Sequence, residues 1–220
     1  MVKIKKGDFI EVEYTGKTKD GIIFDTTYEQ IAKENKIHNE DASYGPIVIC
    51  VGESHVISGL DKRLQGKTIG EYDFEISQEE GFGKKTAKLL RLIPMSAFRK
   101  QDIQPFPGLQ INMDGVMGTV KTVSGGRIIV DFNHPLAGKE LEYHVKINRL
   151  VEGIDEKIKS LIKLQFGLKD DEFDVVIKDN IVGITLKKEI NIPEEMQKIF
   201  KEKAIKLAEV KDITFIKNNN

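Results

Sequence analysis

Alternating apolar and polar residues open the chain and predict a half-buried β-hairpin. The alternation runs through residues 9–14, and Gly21 separates it from a second short strand at 22–24. Residues 56–64 carry apolar side chains at the spacing of a short helix, which Gly66 closes. Further strands are indicated at 47–51 and 72–76, so the first part of the chain mixes strands with a short helix.

The pattern changes after residue 83. Residues 84–88 are basic, and an interrupted apolar segment follows at 89–95. Short candidate strands then lie at 110–112, 115–122 and 127–132, with turn signals at Asp114-Gly115 and Gly125-Gly126. This pattern predicts a separate small all-β module. A longer alternation at 141–147 marks the return of the first sheet.

Residues 153–220 show a third pattern, in which helices and strands are mixed. Apolar side chains at helical spacing predict a helix over Ile154–Phe166 that Gly167 ends. Two strands joined at Asp179-Asn180, a second helix and a final strand at 212–216 complete a compact α+β unit. We expect this unit to fold separately, so that a chain truncated at about Glu152 remains folded. Exposed apolar residues such as Ile199 or Ile205 suggest a homodimer formed through it.

Composition and charge narrow the classes of function. Lys and Arg total 34 against 35 Asp and Glu, a formal net charge of -1, so no overall electrostatic field favours nucleic acid. No run of about 18 apolar residues predicts a membrane span. Residues 1–7 alternate lysines with single apolar side chains, unlike a signal peptide. We therefore expect a cytoplasmic protein without a membrane or nucleic-acid partner.

Covalent and metal chemistry find no support in the sequence. The chain has no phosphate-binding glycine loop, no paired Cys-x-x-Cys and no serine in a nucleophile elbow. Its one cysteine, Cys50, lies in an apolar run that predicts burial. The four histidines show no ligand spacing, and residues 217–220 contain neither His nor Cys. We predict neither a metal site nor a cofactor.

Several short motifs follow one another in a fixed order. They are Val12-Glu13-Tyr14-Thr15-Gly16, Gly21-Ile22-Ile23-Phe24-Asp25-Thr26-Thr27, Val51-Gly52, Val56-Ile57-Ser58-Gly59-Leu60-Asp61, Glu79-Glu80-Gly81-Phe82-Gly83 and Asn133-His134-Pro135-Leu136-Ala137-Gly138. In these motifs the chain resembles the FKBP family of peptidyl-prolyl isomerases, in its SlyD-like branch with an insert in the flap and its long archaeal members. The resemblance covers roughly residues 1–152. It implies an α+β fold in which an isomerase domain at 1–83 and 133–152 is built on an antiparallel sheet with a short helix. It also implies an insert-in-flap domain at 84–132, which leaves residues 153–220 as an additional domain.

The resemblance also implies a pocket for proline. By their places in the motifs, its members are Tyr14, Phe24, Asp25, Ile47, Val56, Ile57, Leu60, Phe82 and Tyr143. Leu60 stands where small members of the family have a tryptophan, Phe82 where they have a tyrosine, and Tyr143 where a phenylalanine is usual. We expect the family's macrolide inhibitor to compete for this pocket. Without the resemblance, alternating aromatic residues on strands would be interpreted as core.

For the insert, the resemblance implies a chaperone role toward unfolded proteins with X-Pro bonds. Apolar residues and flexible methionines in a glycine-rich module suit loose binding of varied segments. The candidates are Leu89, Leu92, Ile93, Met95, Phe98 and Met117. The same side chains are also what a small module needs to fill its own core.

Two rival functions stay open at this point. A non-catalytic peptide-binding or assembly module would keep the same fold, although the retained pocket motifs favour catalysis. RNA binding is suggested by a cluster of basic residues in the insert, Lys84, Lys85, Lys88 and Arg91. A basic run of this kind is usually a solvated face.

Overall fold

The chain divides into two compact units. A computed structural model describes residues 2–187 and 190–216. One unit comprises Met1–Ile76 and Leu141–Asn220, and the other is Ser77–Glu140. The insert predicted at 84–132 lies within the second unit. Residues 217–220, which contributed to the prediction of no metal site, lie outside the described residues.

Strands and helices alternate irregularly along the chain, as the predicted α+β class requires. The strands are β1 (Phe9–Thr18), β2 (Ile23–Thr26), β3 (Ile47–Cys50), β4 (Gly70–Ile76), β5 (Leu90–Pro94), β6 (Gln110–Met113), β7 (Val116–Ser124), β8 (Arg127–Asp131), β9 (Leu141–Val151), β10 (Phe173–Lys178), β11 (Ile181–Leu186) and β12 (Asp212–Ile216). The helices are α1 (Glu29–Glu34), α2 (Ser58–Leu64), α3 (Met95–Arg99), α4 (Ile154–Phe166) and α5 (Glu194–Ala208).

A five-stranded antiparallel sheet forms the first part of the larger unit. Its order is β2-β1-β9-β4, and β3 also pairs with β1. The register between β1 and β2 shifts between Gly16 and Lys17. Such a bulge increases the local twist of a strand. It falls next to the pairing of Gly16 with Asp25, so it shapes the sheet where the candidate pocket lies.

The C-terminal segment adds a three-stranded sheet, in the order β10-β11-β12, and the helices α4 and α5. It shares one hydrophobic core with the five-stranded sheet. Phe9, Cys50 and Val151 from that sheet are buried in the same cluster as Ile158 and Phe200 from the two helices. The segment therefore covers apolar side chains of the sheet, and its independent folding stays a prediction.

Polar contacts reinforce this shared core at its edge. Nη2 of Arg149, on β9, lies 2.7 Å from Oε2 of Glu11 on β1 and 2.9 Å from Oε1 of Glu156 on α4. Of the two residues suggested for a dimer contact, Ile199 is exposed, whereas Ile205 packs against the core. Ile199 is therefore the more accessible of the two for a contact with another molecule.

The second unit contains a four-stranded antiparallel sheet in the order β5-β8-β7-β6. Its core is formed by Ile93, Phe98, Ile111, Val120, Ile128, Val130 and Phe132. The short helix α3 contributes Phe98, so the module is a β-sheet with one helical turn rather than strands alone. Gly118 permits close packing, because a Cβ atom there would stand 2.7 Å from the Phe132 ring.

Across the described ranges 2–187 and 190–216, every helix is too short or too polar to span a membrane. The cytoplasmic location stays a prediction from the sequence.

Candidate functional site

Tyr14 and Asp25 are joined across the first hairpin. The hydroxyl of Tyr14 donates a hydrogen bond to Oδ2 of Asp25 at 3.0 Å. Two threonines fix the backbone around them. The Tyr14 N–H donates to Oγ1 of Thr27 at 2.9 Å, and the Thr26 hydroxyl donates to the Tyr14 carbonyl at 3.1 Å. The Phe24-Asp25-Thr26-Thr27 run therefore forms one hydrogen-bonded wall with β1.

Burial dominates the electrostatics of this wall. Burial raises the pKa of Asp25 above its ordinary value, although the hydrogen bond from Tyr14 and the backbone of Thr26 oppose the shift. Burial, with the Asp25 charge adding to it, raises the pKa of Tyr14 far above the usual range, and Tyr143 is raised in the same way. Both phenols therefore stay protonated at neutral pH, and the proton of Tyr14 is the one donated to Asp25.

Three aromatic rings form the apolar side of the site. The Tyr143 ring lies 5.8 Å from the Tyr14 ring and meets the Phe24 ring edge-on, at 5.9 Å between centroids and 80° between planes. Edge-to-face pairs of this kind are favourable. Gly16 makes the arrangement possible, because a Cβ atom at this position would stand 2.8 Å from Cε1 of Tyr143 and 3.1 Å from Cζ of Phe24.

The loop between β3 and α2 forms the opposite wall. The carboxylate of Asp61, in α2, accepts hydrogen bonds from the Gly52 N–H at 2.7 Å and the Ser54 N–H at 3.0 Å. Nδ1 of His55 accepts one from the Cys50 N–H at 3.0 Å. Gly52 and Ser54 have φ of 87° and 58°, and this tight turn delivers the chain to Val56 and Ile57.

Two cavities lie against the Tyr14–Asp25 wall, and the first of them also reaches the loop between β3 and α2. The first, of about 380 Å³, is lined by Tyr14, Asp25, Ser54, His55, Val56, Ile57 and Tyr143. The second, of about 240 Å³, shares Tyr14 and Asp25 and adds Phe24, Ile47, Tyr44 and residues of α1 and the loop after it. The structure thus brings together seven of the nine pocket residues expected from the sequence.

The other two expected pocket residues are not among those that line these two cavities. Leu60 is fully buried in α2. Phe82 belongs to the second unit, where its ring stacks on His134 at 4.4 Å between centroids. The sequence analysis missed Ser54, His55 and Tyr44. The place of Ser54 and His55 directly before Val56 was the one signal that pointed to the first two.

The chemistry available in this site is that of shape, hydrogen bonding and exclusion of water. Burial raises the pKa of the Cys50 thiol to about 12, so this side chain is not a nucleophile at neutral pH. Among residues 2–187 and 190–216, no group of three His, Cys, Asp or Glu side chains is placed to hold a metal ion. The residues lining the cavities instead surround one buried carboxylate with aromatic and branched side chains.

The candidate client-binding residues of the insert fall into three groups. Ile93 and Phe98 are buried in its core, and Leu89 and Met95 pack against that core. Leu92 and Met117 are 61% and 55% exposed. Further exposed apolar side chains, which the sequence analysis did not select as client-binding residues, are Leu90, Phe106, Val116 and Ile129.

Comparison with known proteins agrees with this architecture. The family "FKBP-type peptidyl-prolyl cis-trans isomerase" matches residues 2–98, and the family "FKBP26, IF domain" matches residues 91–136. A short-type peptidyl-prolyl cis-trans isomerase of Methanocaldococcus jannaschii is 37% identical over 145 residues, which cover 66% of this chain and 92% of the relative.

Bacterial relatives extend the match. The FKBP-type peptidyl-prolyl cis-trans isomerase SlyD of Haemophilus influenzae is 26% identical over 162 residues, 71% of this chain and 77% of the relative. SlyD of Escherichia coli is 24% identical over 166 residues, 71% and 75% respectively. The chain belongs to the family of FKBP-type peptidyl-prolyl cis-trans isomerases. It is thus an isomerase of X-Pro peptide bonds that carries an insert-in-flap domain.

Proposed function

We propose that X-Pro bonds rotate in the paired cavities bounded by the Tyr14–Asp25 wall and the Val56–Ile57 loop. The observation that carries this proposal is the hydrogen bond between Tyr14 and Asp25, made inside a cleft whose other walls are aromatic and branched side chains. A proline ring requires an apolar surface. The adjoining carbonyl groups require a donor, and the protonated hydroxyl of Tyr143 is suited to that role, because the proton of Tyr14 is already donated to Asp25.

Rotation of the bond requires no acid or base. The barrier of about 18–20 kcal/mol arises because the planar amide loses resonance as it twists. The twisted amide is less charge-separated than the planar one, so a site that excludes water destabilises the ground state more than the transition state. An acceleration of about a thousandfold requires only about 4 kcal/mol from shape and desolvation. Asp25 then orients Tyr14 and does not shuttle protons.

A tetrapeptide assay on pocket variants tests this assignment. Phe24→Ala and Val56→Ala should each lower the turnover of an X-Pro tetrapeptide severalfold or more, while Ile22→Ala should leave it unchanged. Ile22 is the matched control because it is exposed on the same hairpin and lines neither cavity. Titration with the family's macrolide inhibitor should displace the peptide. Unchanged turnover in both pocket variants would remove the assignment.

We further propose that the insert holds unfolded segments of client proteins on one face of its sheet. Leu90 and Leu92 alternate on β5, and Leu92 pairs with Ile129 on β8. Ile93 pairs with Ile128 on the opposite, buried face. The apolar side chains on the solvent side, with Met117 on β7, form what we call the client face: Leu90, Leu92, Met117 and Ile129.

Tethering explains how such a face would assist the isomerase. An unfolded protein presents each of its prolines briefly and at low concentration. A segment held on the client face belongs to the same complex as the pocket, because the insert and the pocket are parts of one chain, so the effective concentration of proline rises. Loose, unspecific binding suits this task, and exposed methionine and leucine side chains provide it.

Charged substitutions on the client face test whether it binds unfolded segments. The double variant Leu92→Asp and Met117→Asp should lose suppression of aggregation of an unfolded protein while keeping tetrapeptide turnover. Ile69→Asp, at an equally exposed apolar position outside the insert, is the control for added charge. If the double variant protects the unfolded protein as well as the control does, the client face is assigned wrongly.

A further inference from the structure

A third cavity lies beside the first of the two pocket cavities, which we call the isomerase cleft. The loop residues Ser54 and His55 separate the two. These two residues line both the cleft and the cavity, which has a volume of about 270 Å³. The remaining walls come from the helices α4 and α5 of the C-terminal segment. Their apolar members are Leu161, Leu164, Ile199, Phe200 and Ala204. We call this cavity the helix groove.

The floor and rim of the helix groove differ in exposure. Leu161, Phe200 and Ala204 belong to the shared core and form a fixed apolar floor. Ile199 is 58% exposed and Leu164 is 40% exposed at the rim. The polar members of the lining are Glu53, Ser54, His55, Gln165 and Lys203. Large apolar side chains left in water beside an apolar floor are characteristic of a surface that takes up an apolar partner group.

An ion pair ties the loop to the helix groove. Nζ of Lys203, on α5, lies 3.2 Å from Oε2 of Glu53, the residue before Ser54. The two opposite charges compensate each other, so the rim has no net charge of its own at this point. The pair holds the chain next to α5 at the residue that precedes Ser54 and His55, the two residues that line both the cleft and the groove.

His55 supplies a polar group at the junction. Its Nδ1 accepts the hydrogen bond from the Cys50 N–H, so the neutral ring carries its proton on Nε2. Burial, with the charge of Lys203, lowers the pKa of His55 and favours this neutral form. An N–H donor at the junction of two cavities is suited to the carbonyl group of a peptide that passes from one to the other.

We propose that the helix groove binds an apolar side chain of the same client chain whose X-Pro bond lies in the isomerase cleft. The proposal rests on the proposed function of the cleft. The substrate is a polymer, so it must leave the cleft on both sides of the proline, and one wall of the cleft is also a wall of the groove. The C-terminal segment thereby becomes part of the substrate-binding surface.

A side chain of the client is the expected occupant because the groove adjoins the cleft along a shared wall. A residue of extended chain spans roughly 3.3–3.6 Å, so a few residues beyond the proline carry the peptide past the two-residue wall. The groove has room for one or two side chains, has an apolar floor and has a compensated ion pair at its rim. These features select leucine, isoleucine, methionine or phenylalanine over a charged residue.

Extended peptides test the proposal against tetrapeptides. The probe is a labelled peptide with one X-Pro bond in a Gly/Ser background and a single leucine placed at successive distances on either side of the proline. Turnover is followed by NMR exchange and affinity by fluorescence anisotropy, for the whole chain and for the variants Ile199→Asp and Leu164→Asp. Val176→Asp is the control, because Val176 is 63% exposed on β10 and does not line the groove.

We expect the wild-type protein to prefer peptides with leucine at one distance by about fivefold or more in Kd. Both groove variants should lose this preference, with tetrapeptide turnover unchanged and with Val176→Asp behaving as wild type. Equal affinity for all leucine positions in the wild-type protein would overturn the proposal. So would a groove variant that keeps the preference, or one that changes only the oligomeric state, which would assign the groove to a second copy of the chain. Absence of tetrapeptide turnover in the wild-type protein would instead contradict the proposed function. The anisotropy measurements would still show whether the groove binds the leucine side chain.

Discussion

Gly16 on β1 lies directly opposite Tyr143 on β9, and the Tyr143 ring covers the place that a side chain at position 16 would occupy. The missing side chain lets the ring lie against the strand and meet Phe24 edge-on. Since Gly16 does not have a positive φ, it is needed here for space and not for backbone conformation. The position of one wall of the pocket therefore depends on a single absent methyl group.

Gly16→Ala should displace Tyr143 and narrow the pocket. A Cβ atom 2.8 Å from a ring carbon forces the ring or the strand to shift, and overpacking of this kind costs about 1–3 kcal/mol of folding free energy. We expect tetrapeptide turnover to fall severalfold and the urea midpoint to fall with it. Gly153→Ala is the control, since a Cβ atom there meets only the Glu156 side chain at 3.7 Å. Equal effects of the two substitutions would contradict this view of Gly16.

Asp61 should matter for activity although it lines neither cavity. Asp61→Ala leaves the N–H groups of Gly52 and Ser54 without their acceptor, and an unsatisfied group costs about 1–3 kcal/mol. The loop that presents Val56 and Ile57 should loosen and KM for a tetrapeptide should rise. Asp61→Asn keeps one carbonyl oxygen and should lie between the wild type and the alanine variant. A KM that does not change in Asp61→Ala would show that the loop holds its shape without this anchor.

The raised pKa of Asp25 gives a pH dependence with a definite sign. A carboxyl whose pKa is raised by folding binds its proton more tightly when folded, so its contribution to stability is greatest at low pH and is lost as pH rises from about 3.9 through the raised value. Asp25→Asn does not titrate. The free energy of unfolding of this variant, taken relative to that of the wild type, should therefore increase as the pH rises from about 3 to about 7. A difference that is constant or moves in the opposite direction would contradict the assignment.

Truncation at Glu152 should leave a folded but weakened isomerase. The M. jannaschii relative matches 145 residues of this chain, which make up 92% of its own length, so an isomerase of the family is built on a shorter chain. In this chain, however, removal of the segment exposes Phe9 and Val151, and a buried side chain of this size contributes about 1.5–3 kcal/mol. We expect a lower thermal midpoint and binding of a hydrophobic dye, with tetrapeptide turnover retained. A truncated protein of unchanged stability would show that the shared core contributes nothing.

Local signals in the sequence predicted most of the elements. The helix predicted at 154–166 is present as Ile154–Phe166, and Gly167 ends it with φ of 68°. The turn predicted at Asp179-Asn180 joins β10 and β11 with both residues at positive φ. These features depend on residues close in sequence, where turn chemistry and hydrophobic period are informative.

What the sequence did not predict depends on contacts between distant residues. Phe9 and Val151 alternate as sheet residues do, and nothing near them in sequence indicates that α4 and α5 cover them. The assignment of Leu92 to a solvent face and of Ile93 to the core follows from the pairing of β5 with β8, which a run of apolar residues does not reveal. His55 lines the pocket because of the conformation of its loop, which the sequence does not reveal. The motif residues around it were predicted from the family resemblance.

The proposed function requires that the proline pocket and the client-holding insert be separable parts of one chain. The insert can be removed cleanly, because the Gly138 N–H donates to the Gly83 carbonyl at 2.7 Å and residues 83 and 138 are therefore neighbours. Replacement of residues 84–132 by a short loop leaves every residue that lines the two pocket cavities in place.

The decisive measurement is the ratio of two activities in this loop-replaced protein, turnover of an X-Pro tetrapeptide and acceleration of the proline-limited refolding of an unfolded protein. We expect tetrapeptide turnover to be largely retained, because a short peptide reaches the pocket unaided. Catalysis of refolding should fall by orders of magnitude, because the tether that concentrates the client is gone. Loss of both activities by the same factor would contradict the account and make the insert a structural part of the isomerase.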